Sequence, residues 1–255
     1  MSVTGPLDKT IVYYCPPHDL EACSCDSIAI QEAKYVIGSG PNTGLRTWEA
    51  ALRLACYLES NPELIQGRKV LELGAGTGFL SLYCATYLQP SRVIVTDGHE
   101  QVLTSLKRNI EGNYHRFHPK GTPVHLEKLM WDEDTDLDHL QHTYSGNDES
   151  REEPVCDMVI GADITYHPDL CVSLARTLSK LAKTNPYVKI VISATERDPK
   201  TLNDFIQMCQ SQQCGLRVEA LQYNAPQPHD QKGLFHNVAM PINIYTMWYV
   251  PESIS

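Results

Sequence analysis

From Lys69 onward the chain alternates between short apolar runs and longer segments with apolar residues every three or four positions. The short runs read as strands and the longer segments as helices. Strands separated by helices pair in parallel, with right-handed crossovers that lay helices on both sheet faces. The runs are "KVLELG" (Lys69–Gly74), "RVIVTD" (Arg92–Asp97), "VHLEKL" (Val124–Leu129), "DMVIGAD" (Asp157–Asp163) and "VKIVISAT" (Val188–Thr195). Helices are expected over Thr77–Leu88, Glu100–Glu111, Pro168–Lys183 and Pro199–Ser211, the last two opening on a proline suited to a first turn. Two more strand-like stretches, "LRVEALQY" and "INIYTMWYV", follow with no clear helix between them. They predict an antiparallel pair at one edge. The expectation is an α/β domain with a mostly parallel sheet of seven strands.

Ahead of this core, Thr47–Ser60 has the spacing of an amphipathic helix, and Ser27–Gly44 reads as a strand or hairpin ending in a glycine-rich turn. A division follows: an N-terminal extension over 1–43 and one domain over 44–255. Between the third and fourth strands, Trp131–Asp157 is acidic and polar with the turn residues "YSGND" in its middle, which predicts a solvent-exposed loop. No apolar run reaches the ~20 residues that cross a bilayer. The start "MSVTGPLDKT" has neither the basic opening nor the apolar centre of a secretory signal. Nine scattered cysteines, an odd count, point to reduced thiols and a cytoplasmic location. A net charge of −10 opposes nucleic-acid binding, which needs a basic surface, and suits a basic partner.

The first strand ends in "LGAGTGF", with glycines at 74, 76 and 78. Glycine weakens strands and helices, so backbone free of side chains is needed at this point. A strand, a glycine loop and a helix N-terminus form a site for a nucleoside-bearing ligand at the carboxyl edge of a parallel sheet. The dinucleotide pattern is G-x-G-x-x-G, but the position of its third glycine is Phe79 here. Glu72, inside the strand, would repel a pyrophosphate and attract a cation. S-adenosylmethionine carries a sulfonium and an ammonium and no phosphate, so it fits this loop better than NAD does. Asp97 ends the second strand, where a carboxylate can accept both ribose hydroxyls.

Together "VLELGAGTGFLSL" and "VIVTD" resemble the opening of the seven-strand class I methyltransferases, a Rossmann-like fold. "TGLRTWEAALRLACYL", "LMWDED" and "GADITYHPDL" narrow the resemblance to the protein-lysine methyltransferases of that class, over Gly44–Val250. Within the family, "TGLRTWEAAL" and "DITYHPDL" are most similar to the fungal-type branch that modifies elongation factor 2. That branch carries a longer N-terminal region than Met1–Gly44, so a shortened N-terminus is expected. The resemblance implies S-adenosylmethionine as cofactor, with Trp48 walling its pocket, Glu72, Gly74, Ala75 and Gly76 beneath the methionine part, Asp97 on the ribose, Trp131 beside the adenine and Ala162 at the end of the fourth strand. It also implies elongation factor 2 as the protein substrate of a monomeric enzyme.

The D-x-x-Y pair Asp163 and Tyr166 is the candidate catalytic set. A lysine of reference pKa ~10.4 is almost wholly protonated near neutral pH and attacks only as the free amine. Desolvation beside a cationic sulfur favours the neutral form, and Asp163 and Tyr166 would orient it by hydrogen bonding. The competing readings are a base methyltransferase, a small-molecule methyltransferase and a non-catalytic cofactor-binding module. The first would show prolines where Ile164 and Thr165 stand. Cys15, His18, Cys23 and Cys25 are zinc-capable types whose spacing fits no closed zinc module, so no metal is expected.

Overall fold

Alternation of side chains along the central strands decides where each helix lies. The computed structural model describes residues 8–16, 27–36, 42–145, 153–227, 229–237 and 239–251. In chain order its elements are β1 (Lys9–Tyr14), β2 (Ile28–Ala33), α1 (Glu49–Ser60), β3 (Lys69–Glu72), α2 (Phe79–Tyr83) and β4 (Arg92–Asp97). There follow α3 (Glu100–Phe117), β5 (Val124–Lys128), α4 (Asp134–Tyr144), β6 (Met158–Ala162), α5 (Pro168–Thr184), β7 (Lys189–Thr195), α6 (Pro199–Gln210), β8 (Leu216–Leu221) and β9 (Ile242–Tyr249).

Val70, Val93, Val95, Ile160 and Val191 point to one face and meet the apolar sides of α1, α2 and α3. Their chain neighbours Leu71, Ile94, Val159, Ile190 and Ile192 point to the other and meet α4, α5 and α6. A strand buried on both faces has no polar residue to spare, which is why these runs are continuously apolar. The sheet order is β5-β4-β3-β6-β7-β9-β8. The first five are parallel, and β9 runs antiparallel between β7 and β8. The predicted antiparallel pair is therefore present at one edge, with the later strand inserted inside the earlier one.

The expected helix over Thr77–Leu88 begins at Phe79, because Gly78 is left-handed at φ 78°. Its last turn, Cys84–Leu88, loosens into a π-helix. Helix α3 runs past the expected Glu111 to Phe117, since the polar Asn109 and Asn113 face inward. The Asn113 side chain accepts from Ala29 N at 3.0 Å and donates to Ala29 O at 2.8 Å. Asn109 does the same for Gln31, at 2.9 and 3.2 Å, and also donates to Thr77 O at 2.9 Å. Four residues apart on one helix face, the two amides stand in for a neighbouring strand along the edge of β2. The β1–β2 pair thereby packs into the same core, with Ile28 and Ile30 fully buried.

The loop expected over Trp131–Asp157 is corrected. Asp134–Tyr144 is a helix, α4, with Leu137 and Leu140 buried. The segment reads as polar because its apolar stripe is only two leucines wide. Asp134 and Asp136 lie in the first turn, where carboxylates favour a helix N-terminus. Lys180 of α5 reaches Asp134 at 3.3 Å and Asp138 at 2.8 Å. Residues 146–152 lie outside the described part, as do His18, Cys23 and Cys25 of the zinc-capable set.

The two kinds of contact on α4 differ in weight. Leu140→Ala should cost about 2–5 kcal/mol in urea unfolding, as a buried leucine does. Asp138→Asn, which removes a surface ion pair, should cost less than about 1 kcal/mol. Equal losses would show that α4 is held by its charges.

Candidate active site

The chain builds its sheet outward in two directions, from β3 through β4 to β5, then from β6 to β7. Loops leaving the carboxyl ends of β3 and β6 therefore part company, and a crevice opens between them. A cavity of about 520 Å³ lies there, and all ten residues singled out in the sequence line it.

Glu72 is the last residue of β3 and is 2% exposed. It accepts hydrogen bonds from Ser81 N at 3.0 Å and from the Ser81 hydroxyl. Burial pushes its carboxyl up to about 8, against the opposing pull of those Ser81 bonds, and the nearby Asp97 adds to the rise. Asp97 ends β4 and accepts from Gly76 N and His99 N, both at 3.0 Å. Burial raises its carboxyl too, and those backbone bonds oppose the rise. Each carboxylate oxygen can accept more than one hydrogen bond, so a ligand can share Asp97 with the backbone.

The glycines of the loop serve the protein's own packing. Gly74 has φ +60°, and a Cβ there would lie 2.7 Å from Ile164 and 3.2 Å from Trp131. Gly76 has φ +56°, and its Cβ would lie 2.9 Å from the Gly44 carbonyl oxygen. The space a side chain would fill is thus occupied by neighbouring protein. Ala75 between them is fixed by its N–H to Thr96 O at 2.8 Å. Trp131 follows β5, and its carbonyl accepts from Thr177 at 3.2 Å. Ala162 closes β6.

Trp48 precedes α1 and donates from Nε1 to Thr43 O at 2.9 Å. Its ring lies beneath two guanidiniums, Arg197 at 4.9 Å and Arg46 at 5.7 Å. Tyr166 stands at the mouth, 42% exposed, with its hydroxyl 3.3 Å from that of Thr43. Asp163 lines the cavity, but both of its carboxylate oxygens are already engaged. Thr195 N donates to one at 2.8 Å, and the Thr195 hydroxyl and Arg197 donate to the other, each at 3.0 Å. His167 occupies the N-cap position of helix α5 and makes no side-chain capping bond.

Arg46, Arg197 and Thr43 were not singled out in the sequence, yet they line the cavity. A signal existed for Arg197, which follows the end of a parallel strand, where such sheets place ligand-facing residues. Thr43 and Arg46 become visible only once the N-terminal segment is seen to fold over the glycine loop.

A glycine loop at the direction change of a mostly parallel seven-stranded sheet, with acids ending its first two strands, defines a Rossmann-like class I methyltransferase fold. In shape the chain is similar to precorrin-6y C5,15-methyltransferase from Geobacter metallireducens, with a TM-score of 0.53 over 87% of this chain and 93% of that one. At 16% identity that likeness concerns the fold alone. The chain belongs to the lysine methyltransferase family, whose model matches residues 31–212. It is 36% identical over 217 residues to protein-lysine N-methyltransferase EFM3 of Chaetomium thermophilum, covering 85% of this chain and 61% of the relative. It is 30% identical over 215 residues to protein-lysine N-methyltransferase EEF2KMT of Homo sapiens, covering 81% and 59%. The chain thus spans 61% and 59% of the lengths of these two relatives.

The Glu72 carboxyl ties ligand affinity to pH. Its folded value of about 8 lies above the ordinary carboxylate range, so the stability it lends is full at acid pH. That stability is lost as the pH rises through about 8. A cationic group beside Glu72 favours the ionised form instead. Affinity for S-adenosylhomocysteine, which carries the ammonium, should rise with pH by up to about tenfold per unit and level off above about 8. Titration calorimetry in buffers of different ionisation heat should show proton release near neutral pH, and Glu72→Gln should abolish both effects. A flat wild-type profile would remove Glu72 from contact with the ligand's cation.

Proposed function

We propose that the protein transfers a methyl group from S-adenosylmethionine to the side-chain amine of a lysine in a protein, with elongation factor 2 as the substrate. The observation that carries this reading is one cavity lined by the carboxyls of Glu72 and Asp97, two indoles and, at its mouth, a half-exposed tyrosine. The donor set fits the cofactor. Glu72 would take the ammonium, Asp97 the ribose hydroxyls, Trp131 the adenine and Trp48 the opposite wall, with Gly74, Ala75, Gly76 and Ala162 supplying backbone. The cofactor supplies a methyl group on a cationic sulfur.

The protein's task is then to align the amine, keep water out and let the proton leave. Transfer between aligned atoms gains most from fixed geometry. Tyr166 is the residue placed to meet an amine entering from solvent, by its hydroxyl while the amine is neutral and by its ring as positive charge develops. Asp163 acts at one remove, through Thr195 and Arg197. Desolvation at the mouth favours the neutral amine, and the released proton passes to water.

The names of the relatives, protein-lysine N-methyltransferase EFM3 and EEF2KMT, support a protein lysine as acceptor and elongation factor 2 as the particular one. The net charge of −10 suits a basic partner. Seven free cysteines among the described residues suit a reducing, cytoplasmic setting, and no described helix is long and apolar enough to cross a membrane. We assign the reaction to a monomer, and within it to residues 44–255, with strands β1 and β2 of the 1–43 extension packed against them.

Incubation with labelled S-adenosylmethionine and a cytosolic extract should place the label on elongation factor 2 and, after acid hydrolysis, in methylated lysine. Label in RNA would overturn this reading. Tyr166→Phe should leave S-adenosylhomocysteine affinity within about threefold, roughly 0.65 kcal/mol. Turnover should fall at least about tenfold, because misalignment costs rate more than ground-state binding. Unchanged turnover would remove Tyr166 from the reaction.

A further inference from the structure

Five residues around the mouth of the cavity are joined in a closed circuit. Asp163 accepts from Arg197 at 3.0 Å, and Arg197 lies over the Trp48 ring at 4.9 Å. Trp48 donates to the Thr43 carbonyl at 2.9 Å, and the Thr43 hydroxyl sits 3.3 Å from that of Tyr166. Tyr166 returns to Asp163 along three residues of the loop between β6 and α5. All five line the cavity.

The circuit joins parts of the chain that share no secondary structure. Thr43 and Trp48 belong to the segment before α1, Asp163 and Tyr166 follow β6, and Arg197 follows β7. The Arg197 side chain touches both of the other segments, Asp163 after β6 and Trp48 before α1. It is suited to this by its flat guanidinium, which can donate in its plane to a carboxylate while a face rests on an indole. Its Asp163 partner is only 4% exposed, while the Arg197 side chain itself is 35% exposed. Asp163 also holds a left-handed backbone, at φ 54°. Such a conformation in a residue other than glycine persists where surrounding contacts enforce it. Here the contacts are the bonds from Thr195 and Arg197.

We propose that Arg197 is a positioning residue of this site: paired with Asp163 and lying over Trp48, it holds the loop bearing Tyr166 and the wall formed by Trp48 at the separation that aligns the incoming amine. This rests on the methyl-transfer reading. Arg197 does not touch the reacting atoms, and its effect passes through Asp163 on one side and Trp48 on the other. A residue that merely stabilised the fold would leave turnover per folded molecule unchanged.

The test compares wild type with Arg197→Met, Arg197→Lys, Asp163→Asn and the double variant Arg197→Met with Asp163→Asn, each assayed below its melting temperature on purified substrate protein. Arg197→Met should lower kcat at least about tenfold, with the KM for protein and the Kd for S-adenosylhomocysteine within about threefold of wild type. Arg197→Lys, which keeps the charge but loses the flat stack, should recover part of that loss. The double variant should be no slower than the worse single one, because residues acting as a unit are not additive. Normal kcat in folded Arg197→Met, or multiplicative losses in the double variant, would overturn the proposal while wild-type activity keeps the functional reading standing. Wild-type protein that binds S-adenosylhomocysteine and methylates no protein would overturn both.

Discussion

The backbone of the loop after β3 passes between two walls with no room for a side chain, and the cavity exists because of that passage. At Gly74 the loop touches Ile164 and Trp131, from the turns after β6 and β5. At Gly76 it touches the carbonyl of Gly44, in the segment before α1. These are two points at which walls of the site meet its floor. A Cβ at either would push a wall outward and open the crevice. The left-handed backbone at both positions adds a cost for any other residue. The glycines therefore set the shape of the site before any ligand is considered.

Charge within that shape is arranged by burial. Glu72 and Asp97 are carboxyls taken out of water at the ends of adjacent strands, and burial raises both. Each is held by short bonds from the chain, Glu72 from Ser81 and Asp97 from the loop itself. Asp97 thus ties the glycine loop to β4 as well as facing the cavity. Asp163 is treated differently, with a full cation beside it and hydrogen bonds on both oxygens. Glu72 and Asp97 are left able to receive a ligand, and Asp163 is spent on structure at the mouth.

The N-terminal strands take part in the same architecture. Asn109 joins β2 to the Thr77 carbonyl at the end of the glycine loop, and Thr47 bonds both Glu32 and Thr77, at 2.9 and 2.8 Å. Buried amides that satisfy a strand edge are costly to replace, since each leaves donors and acceptors unpaired. The short β-pair therefore braces the floor of the site, although it lies far from the main sheet in the chain.

Much of this was legible in the residues. Continuous apolar runs fall on strands buried on both faces, and Asp97 ends its strand as the pattern predicts, whereas Glu72, expected inside a strand running to Gly74, is the last residue of β3. Local spacing suffices for such features because burial and backbone geometry act within a few residues. The reading failed where polarity hid a partner. Helix α4 reads as a loop because its core contact is two leucines, and the last turns of α3 carry their inward-facing side through a polar residue, Asn113, that looks like surface. The reason for the glycines was also hidden, since Gly44, Ile164 and Trp131 lie far along the chain from the loop they meet. The sequence by itself determined a mostly parallel seven-stranded sheet flanked by helices, and the placement of Glu72 and Asp97 beside the glycine loop. Only the tertiary structure decided that Asp163 is engaged by Thr195 and Arg197, and that Arg197 reaches Trp48. Those contacts join residues from three separate segments, and no spacing rule encodes a distance that only folding creates.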